Sequence, residues 1–176
     1  MTETIILGGG CFWCTESVFQ SLQGVTEVTP GYSGGHVDNP SYEQVCSERT
    51  GHIEVVRVRF DPEVISLEQL LGVFFGTHDP TTPDRQGADV GSRYASAVFC
   101  ETPQQRETVQ RVLKEVERIL EQPVVTKVLD AEPFWPAEDY HHNYYVNNPA
   151  QGYCQVVIAP KMATLRRHFA ELLASE

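Results

Sequence analysis

The sequence predicts a two-layer α/β sandwich, and three observations predict it. Short β-prone runs alternate with single amphipathic helices along the chain, which suits helices on a mixed sheet better than a doubly wound parallel one. The strand candidates repeat every two residues and the helix candidates every 3.6. The chain has 176 residues, 41% of them hydrophobic. That is enough for one domain with a real core, and no repeat, charge block or low-complexity stretch divides residues 1–176.

The elements follow in order. Thr4 to Leu7 is a β-prone run that ends in glycines, and Thr15 to Leu22 brings Val18, Phe19 and Leu22 to one side at helical spacing. The unit is strand, glycine turn, helix. Ile53 to Phe60 is a strand with Glu54, Val56, Val58 and Phe60 on one face and Ile53, Val55, Arg57 and Arg59 on the other. Ser66 is an N-cap with Gln69 at the capping-box position, and Leu67, Leu70, Leu71 and Phe74 share a helix face. Ala95 to Cys100 is a further strand. Thr102-Pro103 then opens a helix in which Val109, Val112, Leu113, Val116, Ile119 and Leu120 keep the helical period. Val124 to Leu129 and Cys154 to Ile158 are the last strand candidates, and Ala163 to Ala174 is a terminal amphipathic helix.

Composition removes several classes of function. The net charge of −11 repels polyphosphate and argues against a nucleic-acid partner. Met1 to Thr4 carries no basic residue and Ile5 to Leu7 is too short for a signal peptide or membrane span, so a cytoplasmic protein without membrane attachment is expected. The glycines before Cys11 lack the dinucleotide spacing, since Trp13 stands where the third glycine belongs. Five cysteines without an export signal point to free or redox-active thiols, not a disulfide framework.

Among the thiols, Cys11 stands out in "LGGGCFWCTE", where the chain enters a helix. Amides at a helix start stabilise an anion and lower a thiol below its free value of about 8.5. Phe12 and Trp13 fit a core, or an apolar wall for a methyl or thioether group. Glu54 lies on the apolar side of its strand; a buried carboxyl with a raised pKa and a carboxylate paired at a solvated strand end fit the pattern equally. Gly31 to Glu54 has the composition of a functional loop. His141 and His142 in "DYHHNYY" read as surface residues, since adjacent histidines have no ligand geometry by themselves. Cys11 with Cys14 also fits a thioredoxin-like redox pair, and Cys11, Cys14 and Cys154 with a histidine could make a zinc module.

Four blocks together resemble the A-type peptide methionine sulfoxide reductases: "GGGCFWCTE"; "GYSGG" with "PSYEQVCSERTGHIEVV"; "HDPTTPDRQGADVGSRYASA"; and "EDYHHNYYVNNPAQGYC". The resemblance implies a ferredoxin-like core within the sandwich, a loop-rich C-terminal region, specificity for the S epimer at sulfur, no metal or organic cofactor, thioredoxin as reductant and repair of oxidised proteins. It implies that Cys11 attacks the sulfoxide sulfur and becomes a sulfenic acid, with Glu54 donating a proton to the oxygen. Tyr42 and Tyr94 match positions that hydrogen-bond that oxygen, Asp89 a polar position of the same pocket, and Phe12 with Trp13 the methyl seat. Cys154 matches the resolving position and stands ahead of Cys14, where the commoner pattern has glycine. Cys46 and Cys100 are spectators, and a monomer is expected.

Overall fold

The computed structural model describes residues 2–174. Strand β1 (Glu3–Gly9) runs into helix α1 (Phe12–Gln20), then β2 (Val25–Ser33), helix α2 (Tyr42–Cys46), β3 (Ile53–Phe60) and α3 (Leu67–Thr77). A two-strand ribbon, β4 (Arg85–Gln86) and β5 (Asp89–Val90), precedes β6 (Ser96–Cys100), α4 (Pro103–Leu120) and β7 (Lys127–Asp130). The chain ends with β8 (Phe134–Pro136), the short α5 (Tyr144–Asn147) and α6 (Ala159–His168).

Six strands form one sheet in the order β7-β6-β1-β3-β2-β8. Its centre, β6-β1-β3-β2, is antiparallel throughout, with α1 and α3 as the crossovers. This is the split βαβ arrangement of a ferredoxin-like core. Edge strand β7 adds parallel to β6, and β8 adds antiparallel to β2. On the helix-covered face Ile5, Leu7, Val56, Val58, Phe60 and Val98 pack against α1 and α3 residues such as Phe19 and Phe74. On the other face Ile6, Val55, Ala97 and Phe99 make a smaller apolar cluster with Phe134.

The local signals act as their chemistry requires. Ser41 and Ser66 each close a capping box, with Gln44 and Gln69, and Thr102 caps α4. Helix α1 starts at Phe12, earlier than apolar periodicity alone places it, because Gly10 turns the chain at φ +96 and makes Cys11 the N-cap. A side chain at Gly10 would also collide with Gln86. Strand β2 is hidden in the sequence by Pro30 and Gly31. Proline is tolerated because β8 pairs only with Gly31 to Ser33, which leaves Pro30 past the end of that ladder. The segment Gly31 to Glu54 is therefore part strand and part helix, not a loop throughout.

Two expectations for the C-terminal part are corrected. Cys154–Ile158 is a π-helical turn that continues into α6, not a strand. Cys154, Ile158, Met162 and Leu165 form one buried helical face while Val156 is exposed, and a short apolar run does not distinguish the two periods. The loop-rich part of the C-terminal region lies before Cys154, between α4 and the π-helical turn, and α6 occupies Ala159–His168 instead of Ala163 to Ala174.

Candidate active site

The glycine turn places Cys11 at the mouth of α1, 9% exposed, against the neighbouring strand β3. There the carboxyl of Glu54, 1% exposed, accepts the Phe12 amide at 3.2 Å through Oε1. This bond joins residues 42 apart in sequence. The inward face expected for Glu54 is the one observed, and burial pushes its acid up to about 8 despite the Phe12 amide and the Arg93 charge. Glu54 therefore holds a proton at neutral pH. Its second oxygen, Oε2, is buried and has no hydrogen-bond partner among the described residues.

The thiols depart from expectation. The Trp13 amide does lower Cys11, as a helix start should, but burial, donation to Cys14 and the nearby Glu54 outweigh it and hold the Cys11 thiol well above its ordinary range. Cys14 is the acidic partner. A hydrogen bond from Cys11, the Lys161 charge and the Tyr153 hydroxyl bring it down to about 7 against its own burial. All five cysteines are free. Cys154 is fully buried in the π-helical turn, near enough for the Cys14 charge to raise it, and Cys14, one helical turn beyond Cys11, is the thiol that acts most strongly on Cys11. Cys100 is buried at the end of β6, and Cys46 is half-buried beside Tyr42.

The remaining expected residues gather here too. Tyr42 begins α2 and Tyr94 ends a 3-10 turn, Ser92–Tyr94, and both hydroxyls lie near enough to Glu54 to be raised by its carboxylate once that has formed. Asp89 on β5 accepts the Tyr153 hydroxyl at 2.6 Å. Phe12 is buried beside Tyr32 and Tyr42, with ring centroids 5.6 and 6.4 Å away. Trp13 is half-buried, one face stacked on Tyr144 at 3.8 Å and an edge toward Tyr153.

Four residues that sequence reasoning passed over also belong to the cluster. His141 is fully buried, not on the surface; its Nδ1 accepts the Trp13 indole at 3.0 Å, and burial lowers it to about 4, so it stays neutral. Arg93 faces Glu54, Glu48 and Tyr94. Tyr153 bridges Asp89 and Cys14. Glu138 accepts the Tyr32 hydroxyl and the Tyr42 amide, each at 2.9 Å. Only the Tyr153-Cys154 adjacency in "GYC" could have flagged one of them. A cleft of about 910 Å³, lined among others by Cys11, Cys14, Asp89, Tyr153 and Lys161, opens onto the thiols. Among the described residues no group of three or more His, Cys, Asp or Glu side chains is placed to hold a metal ion, and no helix is long and apolar enough to cross a membrane.

Two neighbouring thiols can be oxidised to a disulfide and reduced again, and a protonated carboxyl beside them can deliver a proton to a leaving oxygen. On a split βαβ sheet, that chemistry defines an α/β oxidoreductase of the thiol-dependent class. The chain belongs to the peptide methionine sulfoxide reductase family, whose profile matches residues 3–173. It is 54% identical over 173 residues to the peptide methionine sulfoxide reductase MsrA of Chromobacterium violaceum, covering 97% of this chain and 98% of that one. The fold is similar to that of Mxr1 from Saccharomyces cerevisiae in reduced form, with a TM-score of 0.81, 30% identity and coverage of 87% and 89%. Methionine sulfoxide reductase A of Corynebacterium diphtheriae gives a TM-score of 0.77 at 34% identity, covering 85% of this chain and 76% of that one. Mxr1 has also been solved in complex with Trx2, a structure 22% identical to this chain with a TM-score of 0.57.

Proposed function

We propose that this enzyme reduces the S epimer of methionine sulfoxide, free and in proteins, by oxidation of Cys11 and recycling through thioredoxin. The observation that carries the reading is the Cys11–Glu54 juxtaposition: a thiol and a protonated acid are held together by the Phe12 amide at the start of α1. Sulfoxide oxygen leaves sulfur only when protonated, so both groups are needed in one pocket.

Cys11 attacks the sulfoxide sulfur and passes its proton to the Cys14 thiolate, while Glu54 gives its proton to the oxygen. The oxygen moves to Cys11, which becomes a sulfenic acid as the methionine sulfur takes up the electron pair. Cys14 then condenses with the sulfenic acid to a disulfide and releases water, and Glu54 regains a proton from solvent. Exchange with Cys154 hands the disulfide to thioredoxin, whose two thiols supply the electrons. This order adapts the pairing expected from the resemblance, because Cys14 lies one helical turn from Cys11 and shares its electrostatics while Cys154 is fully buried. Tyr42 and Tyr94 hold the oxygen, with Asp89 in the same pocket, and Phe12 and Trp13 receive the methyl group. The Mxr1–Trx2 complex supports thioredoxin as the reductant.

Incubation with resolved S and R sulfoxides and dithiothreitol tests the reading. The S epimer should be consumed and the R epimer left intact; reduction of R alone overturns the assignment.

A further inference from the structure

We infer that Arg93 is a positioning residue for the reduction, held by Glu48 so that its guanidinium receives the Glu54 carboxylate at the moment the acid gives up its proton. The inference rests on Glu54 acting as the acid in the reading above. Arg93 lies in the turn Ser92–Tyr94, its side chain 18% exposed. Its Nη1 is paired with the Glu48 carboxylate and its Nη2 donates to the Tyr94 hydroxyl at 2.9 Å, with the guanidinium 4.3 Å over the Tyr94 ring. Nε, the remaining donor, points at Glu54 Oε2 from 3.7 Å.

Neither atom of that last pair has a hydrogen-bond partner among the described residues, and both are buried. A buried donor and acceptor left unmet cost free energy in the resting site. The arrangement becomes favourable once Glu54 is charged, because an Nε–H and a carboxylate then form a charge-assisted bond after a shift of less than an ångström. Arg93 thus matches the product of proton transfer better than the resting acid, which is the requirement for a faster step.

The fold is built to keep the guanidinium there. Glu48 adopts a left-handed backbone at φ 63, and its carboxylate also accepts the Ser92 hydroxyl at 2.6 Å and the Arg93 amide at 3.2 Å. A side chain at Gly91 would collide with that carboxylate, so the glycine leaves room for it. Glu54 is faced by Arg93 and Tyr94 from this turn, by Asp89 from β5, by Cys11 at the cap of α1 and Cys14 within it, by Tyr32 from β2 and by Tyr42 and Cys46 from α2. Arg93 is the cation among them.

The experiment is single-turnover formation of methionine from a blocked peptide carrying the S-sulfoxide, followed between pH 6 and 10. The wild-type rate should fall as pH rises through the Glu54 titration. In Arg93→Gln that fall should move about one pH unit upward, the least expected for losing an opposite charge within 4–6 Å. The rate at neutral pH should drop about ten-fold, and Arg93→Lys should restore part of both. Glu48→Gln, which takes away the carboxylate that holds the guanidinium at Glu54, should move the fall upward as well, by less than Arg93→Gln because the cation stays in the pocket. In a Glu54→Gln background, Arg93→Gln should cost nothing more. An unmoved profile in both Arg93→Gln and Glu48→Gln, or an additive loss in the double variant, overturns the role of Arg93 alone. If Glu54→Gln itself keeps the wild-type rate and profile, the acid assignment fails first. Should Arg93→Gln not fold, Glu48→Gln and Arg93→Lys decide the matter.

Discussion

Replacing Glu54 by Gln should make the protein more stable and far less active, with both effects arising from one buried carboxyl. The ordinary glutamate value is 4.5, and burial raises Glu54 to about 8. Below pH 4 folded and unfolded chains both carry the proton. Between 4.5 and 8 the unfolded chain releases it and the folded chain does not, so stability falls as pH rises through that window. At about 1.4 kcal/mol per pH unit, the loss reaches about 3 kcal/mol at pH 7 and about 5 kcal/mol above pH 8. Glutamine removes the titration and keeps an oxygen for the Phe12 amide, so the variant should gain these amounts relative to wild type. For a chain of this size about 3 kcal/mol is about 6–12 °C in Tm. Other groups titrate alike in both proteins, so the difference isolates Glu54. Denaturant unfolding of both proteins at pH 4, 7 and 9, with the thiols kept reduced, measures it. Single-turnover methionine formation should meanwhile slow about 10²–10⁴-fold. A stability difference that does not grow with pH, or a variant less stable than wild type at pH 9, refutes the buried neutral acid. An unchanged rate makes Glu54 structural only.

Cys11→Ser should abolish reduction with every reductant, since Cys11 is the thiol placed at the helix start beside Glu54; activity that survives with dithiothreitol or thioredoxin contradicts the mechanism. Cys154→Ser should complete one turnover and form the Cys11–Cys14 disulfide, seen by peptide mapping, yet lose recycling by thioredoxin; full thioredoxin-dependent turnover would give the recycling role to Cys14 alone. Trp13→Leu removes both the indole face and the donor to His141, and should raise KM about ten-fold with a smaller change in kcat. A kcat loss larger than the KM rise would place Trp13 in the chemical step instead.

Strands β1 and β3, the capping box of α3 and the Thr102-Pro103 start of α4 are written in short stretches of sequence, because each depends on a period or a side-chain bond within a few residues. The same locality makes the glycine turn at Cys11 and the inward face of Glu54 readable. Neighbours distant in sequence decided the rest. Strand β2 needed β3 and a short β8 to carry Pro30 in a sheet, and Cys154–Ile158 needed α1 beneath it to show a helical face. His141 looks like a surface histidine until Phe12, Trp13 and Tyr42 close around it. The charge states of the thiols divide the same way. The helix start that lowers Cys11 is local and visible in the sequence, whereas the burial that raises it further comes from elements packed around the turn. Protonation is a difference between two solvation free energies, and solvation is set by whatever the folded chain places around a group. The sequence alone therefore pointed to the residues proposed to react, and the tertiary structure decided which of them hold their protons and which thiol neighbours Cys11.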